Sequence, residues 1–325
     1  MRRKIAVIFT GGTISMTINE DTKAASPSLS SEDIMSLVKN IKEVVDLELI
    51  DFSAIPGPHM TPEKMMDLKL VIQEKINQED IDGVVITHGT DNLEETAYLL
   101  SLSLDVKKPV VITGSMRNAS ELGYDGPSNL ASAILTAMDQ DSHNRGVLVV
   151  LNDDIHAACE VTKTHTMALD TFKSPGLGPL GIVDSNDVIY YRKQTFEPVS
   201  IPVDHVESDV ALLKTAAGMD SKVLDFLVES KVKGIVIEAM GRGNVPPGML
   251  PGIEKAIKSD IPVVLVSRNL LGRVLPSYGY SGGGLTLKNL GVIFASNLNG
   301  QKARICLMLA LAKTSNINEL REYFK

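Results

Sequence analysis

Two glycine-threonine turns, each placed directly after a short apolar run, constrain this chain more than any other feature. The first is Thr10-Gly11-Gly12-Thr13-Ile14, after Ile5-Ala6-Val7-Ile8-Phe9; the second is Thr87-His88-Gly89-Thr90-Asp91, after Gly83-Val84-Val85-Ile86. Continuous runs of this length, rich in β-branched residues, suit strands buried on both faces of a parallel sheet. Open α/β sheets bind ligands beyond the carboxyl ends of their strands. Two strands therefore each deliver a hydroxyl, flanked by glycine, to the edge where such folds do chemistry.

The rest of the chain supports that reading. Strands are predicted at Lys4–Phe9, Leu47–Phe52, Gly83–Thr87, Pro109–Thr113 and Gly146–Leu151, with helices at Ser31–Ile41, Thr61–Asn77, Asn92–Leu102 and Gly126–Asp139 between them. Thr61-Pro62-Glu63 has the N-cap and first-turn proline of a helix start. A second alternation follows, with strands at Val210–Lys214, Gly234–Glu238, Pro262–Ser267 and Gly291–Ala295, and helices at Asp220–Lys231, Pro247–Ser259 and Gln301–Lys313. The segment between them loses apolar periodicity and carries Thr195, Pro198, Pro202 and Asp204. The expected architecture is α/β with two domains. A larger doubly wound, mainly parallel domain spans 1–190, a linker spans 191–208 and a smaller α/β domain spans 209–325.

Composition narrows the function. The formal net charge is −8 with basic residues scattered, which disfavours nucleic acid or an anionic membrane as partner. No apolar stretch approaches the length of a membrane span. The basic start Met1-Arg2-Arg3-Lys4 precedes only five apolar residues, too few for a signal peptide, and a cytoplasmic protein is expected. Cys159 and Cys306 read as buried free thiols. The first turn has neither G-x-G-x-x-G spacing nor the Gly-Lys-Ser/Thr of a P-loop, so a dinucleotide or phosphate site is disfavoured.

Each chemical candidate has a plainer structural use. Thr13 is either a nucleophile or a helix N-cap. Thr90-Asp91, before the acidic helix start Asn92-Leu93-Glu94-Glu95, supplies a hydroxyl and a carboxylate able to grip an ammonium group, or else caps that helix. His88 reads as a structural histidine. Lys163, in Val161-Thr162-Lys163-Thr164, is either an exposed charge or, if desolvated beside a threonine, a base.

Taken in order, Thr10–Ile14, Thr87–Ala97, Thr113-Gly114-Ser115-Met116-Arg117, Asp125-Gly126-Pro127-Ser128-Asn129 and Val161–Lys163 resemble the bacterial-type L-asparaginase family. Thr171–Ser174 and Gln301–Arg304 extend the resemblance over nearly the whole chain. It implies hydrolysis of the asparagine side-chain amide to aspartate and ammonia, without metal or cofactor. It implies Thr13 as primary nucleophile, and Thr90, Lys163 and Asp91 as a second triad, with Asp91 also holding the substrate amine. Gly12, Gly89, Ser115, Gly57, Pro58 and Asn244 become substrate contacts. Backbone donors near Gly12 and Thr90 would stabilise the oxyanion by about 3 kcal/mol each. The expected partners are asparagine and further copies of the chain, as a homodimer or homotetramer with Asn244 reaching across an interface.

Three positions depart from the family pattern. The loop from Met16 to Leu29 lacks the usual tyrosine, for which Tyr278 or Tyr280 of a neighbouring chain could substitute. Gly57-Pro58 stands where Ser-Gln or Ser-Thr is common, and Ser281-Gly282-Gly283-Gly284 has no acid. The last two bear on the substrate's carboxylate and amine, so L-glutamine, D-asparagine or a peptide-linked asparagine are alternative substrates, and a binding protein without turnover is a further reading. The Thr17–Ser31 stretch, poor in aliphatic residues, is expected to be a mobile lid.

Overall fold

The computed structural model describes residues 2–38, 41–197 and 199–325, with only the backbone of Lys42. The chain divides into two compact units, one ending at Pro202 and the other running from Val203 to Lys325. In the first, β1 (Arg3–Gly11) leads into a hairpin of β2 (Met16–Ile18) and β3 (Ala25–Pro27). Then follow α1 (Ser31–Leu37), α2 (Ile41–Val44), β4 (Val45–Ile55), α3 (Pro62–Ile76), β5 (Gly83–Thr87), α4 (Leu93–Ser103), β6 (Val110–Thr113), α5 (Gly126–Met138) and β7 (Val147–Leu151). Five short strands complete the unit: β8 (Asp154–Ala157), β9 (Thr162–Lys163), β10 (Phe172–Lys173), β11 (Gly181–Asp184) and β12 (Asp187–Tyr190).

Eight strands form one sheet in the order β12-β11-β8-β7-β6-β5-β1-β4. The five from β4 to β7 are parallel, and β8, β11 and β12 extend them antiparallel. Ile5 to Ile8 and Val84 to Ile86 have no exposed surface, as expected of central strands covered on both faces. Ile34 and Met35 of α1 join Leu130 and Ile134 of α5 in one core layer with Ile5, Val7 and Val85. The chain leaves β1 for β4 on one side, then crosses back through α3 to β5 on the other. The loops after β1 and β5 lie at this reversal of strand order, the place where such sheets bind ligands.

Several elements differ from the sequence expectation. Helix Ser31–Ile41 is two pieces, and residues 39–40 lie outside the described residues. The antiparallel strands β8, β11 and β12 are not expected from apolar patterning. Asn152 and Asp153, both at positive φ, make the two-residue turn from β7 to β8 that matches strand twist. The lid composition predicts no structure of its own. Its ends instead pair as β2 and β3, with Thr17 Oγ1 and Ser28 Oγ 2.7 Å apart. The segment read as linker from residue 191 belongs to the first unit as far as Pro202. Arg192 pairs with the buried Glu160 at 2.7 Å, and Ile201 is buried with its N–H on Leu102 O; Pro198 lies outside the described residues. Cys306 is buried and Cys159 only half-buried, and both are free thiols.

The second unit is a parallel sheet of β13 (Val210–Lys214), β14 (Gly234–Ala239), β15 (Val263–Ser267) and β16 (Ile293–Phe294) in sequential order. Its helices are α6 (Lys222–Glu229), α7 (Leu250–Lys258), α8 (Gly284–Leu290), α9 (Gly300–Lys313) and α10 (Ile317–Glu322). Ile235, Ile237 and Leu265 of the sheet form its core with Leu224 and Ile253 from the helices. Among the described residues, no helix is long and apolar enough to cross a membrane.

Candidate active site

Three glycines bring the loops after β4, β1 and β5 into backbone contact. Gly12 lies at φ 83°, a region that favours glycine. A Cβ on Gly12 would sit 2.5 Å from both Cα and N of Gly89, and one on Gly89 would sit 2.6 Å from Gly57 Cα. Gly57 opens a tight turn, Gly57–His59, and Gly12 N donates to Ile55 O at 2.9 Å. Thr13, Pro58 and Thr90 are the residues that follow these contacts, so the close approach gathers their backbones in one place.

Thr13 begins a single 3-10 turn, Thr13–Ser15, whose N-cap is Gly12. The capping use of Thr13 is therefore not realised, and its hydroxyl makes no hydrogen bond among the described residues. The turn itself is pinned. Ile14 is fully buried, Tyr124 Oη donates to Ile14 O at 2.5 Å, and Ser15 Oγ donates to Gly12 O at 2.9 Å. The Thr13 hydroxyl is thus carried on a turn whose backbone is fixed from both sides.

Lys163 comes from β9, held against β10 by the pairing of Lys163 with Phe172. Its Nζ donates to Thr90 Oγ1 at 3.0 Å and to Asp91 Oδ1 at 2.9 Å. The Lys163 side chain is 16% exposed and that of Asp91 65% exposed, so the ammonium is sheltered while the carboxylate faces outward. Asp91 spends its side chain on Lys163, and the N-cap of α4 is Asn92. Glu94 adds a support that residue type alone does not reveal: buried in the first turn of α4, it accepts from Thr162 Oγ1 at 3.0 Å and Lys163 N at 3.4 Å. It anchors the β9 backbone so that the lysine stem points at Thr90.

His88 is structural. Its Nδ1 lies 2.8 Å from Gly89 O, which can only accept, so Nδ1 carries the proton and Nε2 accepts from Thr96 Oγ1 at 2.9 Å. Complete burial lowers its pKa from the ordinary 6.5 to about 4. The folded-state pKa is depressed, so an unfolded chain takes up a proton that the folded chain refuses. Stability is expected to fall as pH drops from 6.5 through about 4, by about 3 kcal/mol from this group. NMR titration of the His88 ring checks this, and a midpoint near 6.5 would contradict it.

Ser115 is buried in the loop after β6, its Oγ 2.7 Å from Asp125 Oδ1. Asp125 also accepts from Met116 N at 3.0 Å, Arg117 N at 2.9 Å and Asn129 Nδ2 at 3.0 Å. Asn129 Nδ2 in turn donates to Gly114 O at 2.9 Å. The Asp125–Asn129 motif thus fixes the Gly114–Arg117 loop rather than presenting a reactive group. Asn244 belongs to the second unit, where its Oδ1 accepts from Gly284 N at 3.2 Å and its backbone bridges Met240.

At the strand-order reversal, Thr13 follows the Gly12 contact, and Lys163 joins Thr90 and Asp91 on the adjoining loop. Comparison with known proteins supplies the family. The chain matches the Asparaginase N-terminal domain over residues 4–196 and the Glutaminase/Asparaginase C-terminal domain over 209–324. It is 39% identical to a probable L-asparaginase of Deinococcus radiodurans, covering 99% of this chain and 97% of that protein. It is 34% identical to an L-asparaginase of Bacillus licheniformis over 96% of each. A crystal structure of a probable cytoplasmic L-asparaginase from Campylobacter jejuni superposes with TM-score 0.88 and 33% identity over 99% of both chains. The chain belongs to the asparaginase family and is an amidohydrolase.

Proposed function

We propose that the protein hydrolyses L-asparagine to L-aspartate and ammonia, with Thr13 as nucleophile. The observation that carries this reading is the Thr90–Lys163–Asp91 chain of hydrogen bonds beside an unengaged Thr13 hydroxyl. Thr13 Oγ1 attacks the side-chain amide carbon, and the C–N bond breaks as ammonia leaves with a proton. Water then opens the resulting ester and regenerates the threonine. Lys163, between Thr90 and Asp91, moves the protons of both steps, and the exposed face of Asp91 holds the substrate amine. Backbone N–H groups near Gly12, Gly89 and Thr90 receive the oxyanion, and the Ser115 carbonyl receives the leaving nitrogen.

The chain is further proposed to act in the cytoplasm, in line with its likeness to the probable cytoplasmic L-asparaginase of Campylobacter jejuni. It is also proposed to assemble as a homodimer or homotetramer with Asn244 at a subunit interface. No cofactor is invoked. Gly57 and Pro58 offer the substrate backbone and a ring but no side-chain donor, so the α-carboxylate is held less specifically than by a serine-glutamine pair. Ammonia release from L-asparagine, L-glutamine and D-asparagine, run side by side, tests the reading. L-asparagine is expected to be turned over fastest; a faster rate on either other amide would overturn the substrate assignment.

A further inference from the structure

A second cavity, of about 350 Å³, opens on the α1 face of the first sheet. None of Thr13, Thr90, Asp91 and Lys163 lines it. Its polar lining is Ser15, Ser30, Ser31, Asp51, Ser53 and Thr87, and Phe9 and Ile34 supply apolar walls. Among the described residues, no basic side chain lines it.

Counting protons defines what this cavity can hold. A hydroxyl has one proton to give and two lone pairs to receive with. Ser15 gives its proton to Gly12 O at 2.9 Å, Ser30 to Asp33 Oδ2 at 2.7 Å, Ser31 to Asp51 Oδ2 at 3.1 Å and Ser53 to Thr10 O at 2.8 Å. Four of the five hydroxyls therefore have only lone pairs left to offer. The fifth, Thr87 Oγ1, is on a residue with no exposed surface and has no hydrogen-bond partner among the described residues. A buried hydroxyl left unpaired in this way is a deficit that a bound group can correct. Asp51 has no basic partner among the described residues, and the whole lining is thus rich in acceptors and net negative.

We propose that this cavity binds a primary ammonium group, either free ammonium or the amine of a small molecule. An anion finds no cation here, and an apolar ligand would leave Thr87 unpaired. The apolar walls and the volume leave room for a short carbon chain beyond the nitrogen. Ser15 O also accepts from Ser28 N at 2.9 Å and Leu29 N at 3.0 Å, so the site lies at the root of the lid hairpin.

Titration calorimetry of the full chain tests this, using ammonium chloride, methylammonium chloride, potassium chloride and tetramethylammonium chloride at one ionic strength. Saturable binding is expected for ammonium or methylammonium and none for tetramethylammonium, which carries the charge without an N–H. Ammonium alone would identify the free ion as the source, and methylammonium binding as well would identify an amine-bearing molecule. Asp51→Asn and Thr87→Val are each expected to weaken binding at least about tenfold, the loss of one charge-assisted hydrogen bond. Cooperative thermal unfolding reports that each variant is folded, and Ser53→Ala replaces Thr87→Val if the latter does not fold. Binding that is unchanged in these variants would place the ammonium on another carboxylate, such as Asp91, and overturn the proposal. So would the absence of saturable binding, or potassium binding as tightly as ammonium.

Discussion

Lys163→Met is expected to lower kcat for L-asparagine by about a thousandfold, within the span that a positioned acid-base group supplies, and to change KM much less. Methionine keeps most of the unbranched stem and removes the three N–H donors. The bonds to Thr90 Oγ1 and Asp91 Oδ1 are lost together. The fold survives, because β9 is held through its backbone. Thr164 N donates to Thr171 O at 2.9 Å, and Glu94 still accepts from Thr162 Oγ1. Steady-state kinetics on the purified variant provide the check. A variant with the wild-type kcat would mean that the protons move by a route that bypasses Lys163.

Gly12→Ala is expected to lower folding stability by at least about 3 kcal/mol and to abolish activity in whatever protein folds. Two costs add. The backbone at φ 83° and ψ −176° lies in a region kept almost entirely by glycine and disfavours a side chain by about 1–3 kcal/mol. The added methyl would also lie 2.5 Å from the Gly89 backbone, where neither chain can yield without parting the loops that carry Thr13 and Thr90. Gly146→Ala separates the two costs. It has φ 69° but nothing within 4 Å of its would-be Cβ, so it should lose only the smaller amount. Urea denaturation of both variants gives the comparison. Equal losses would show that the contact between the β1 and β5 loops is not needed.

What is legible in the sequence follows from what dominates locally. Gly83–Thr87, a central strand buried throughout, matches the expected limits, and so does Val210–Lys214, an edge strand that is apolar as far as Leu213. The strands β8, β11 and β12 escape because they are four residues each, too short for apolar alternation to declare itself. The lid shows a different limit. Its composition cannot supply a core, yet Asn19 Oδ1 accepts from Asp21 N and Thr22 N, and this turn lets the flanking residues pair. At the proposed site, the candidate residue types are visible in the glycine-threonine turns, though each also has a plainer structural use. Their supports are not. Glu94 looks like a helix-start acid, Asp125 like part of a motif and Tyr124 like an ordinary aromatic. Each acts on residues distant in sequence or on a neighbouring loop, such as Tyr124 on Ile14, and no spacing rule encodes those contacts.

The central claim is that the free hydroxyl of Thr13 opens the amide of asparagine. Ammonia release from L-asparagine by the wild-type chain and by Thr13→Ala, at equal folded concentration, tests it most directly. Rapid release by the wild type, falling at least about a thousandfold in the variant, is the predicted result for loss of a nucleophile. Ammonia release by Thr13→Ala at the wild-type rate would contradict it and shift the nucleophile to Thr90.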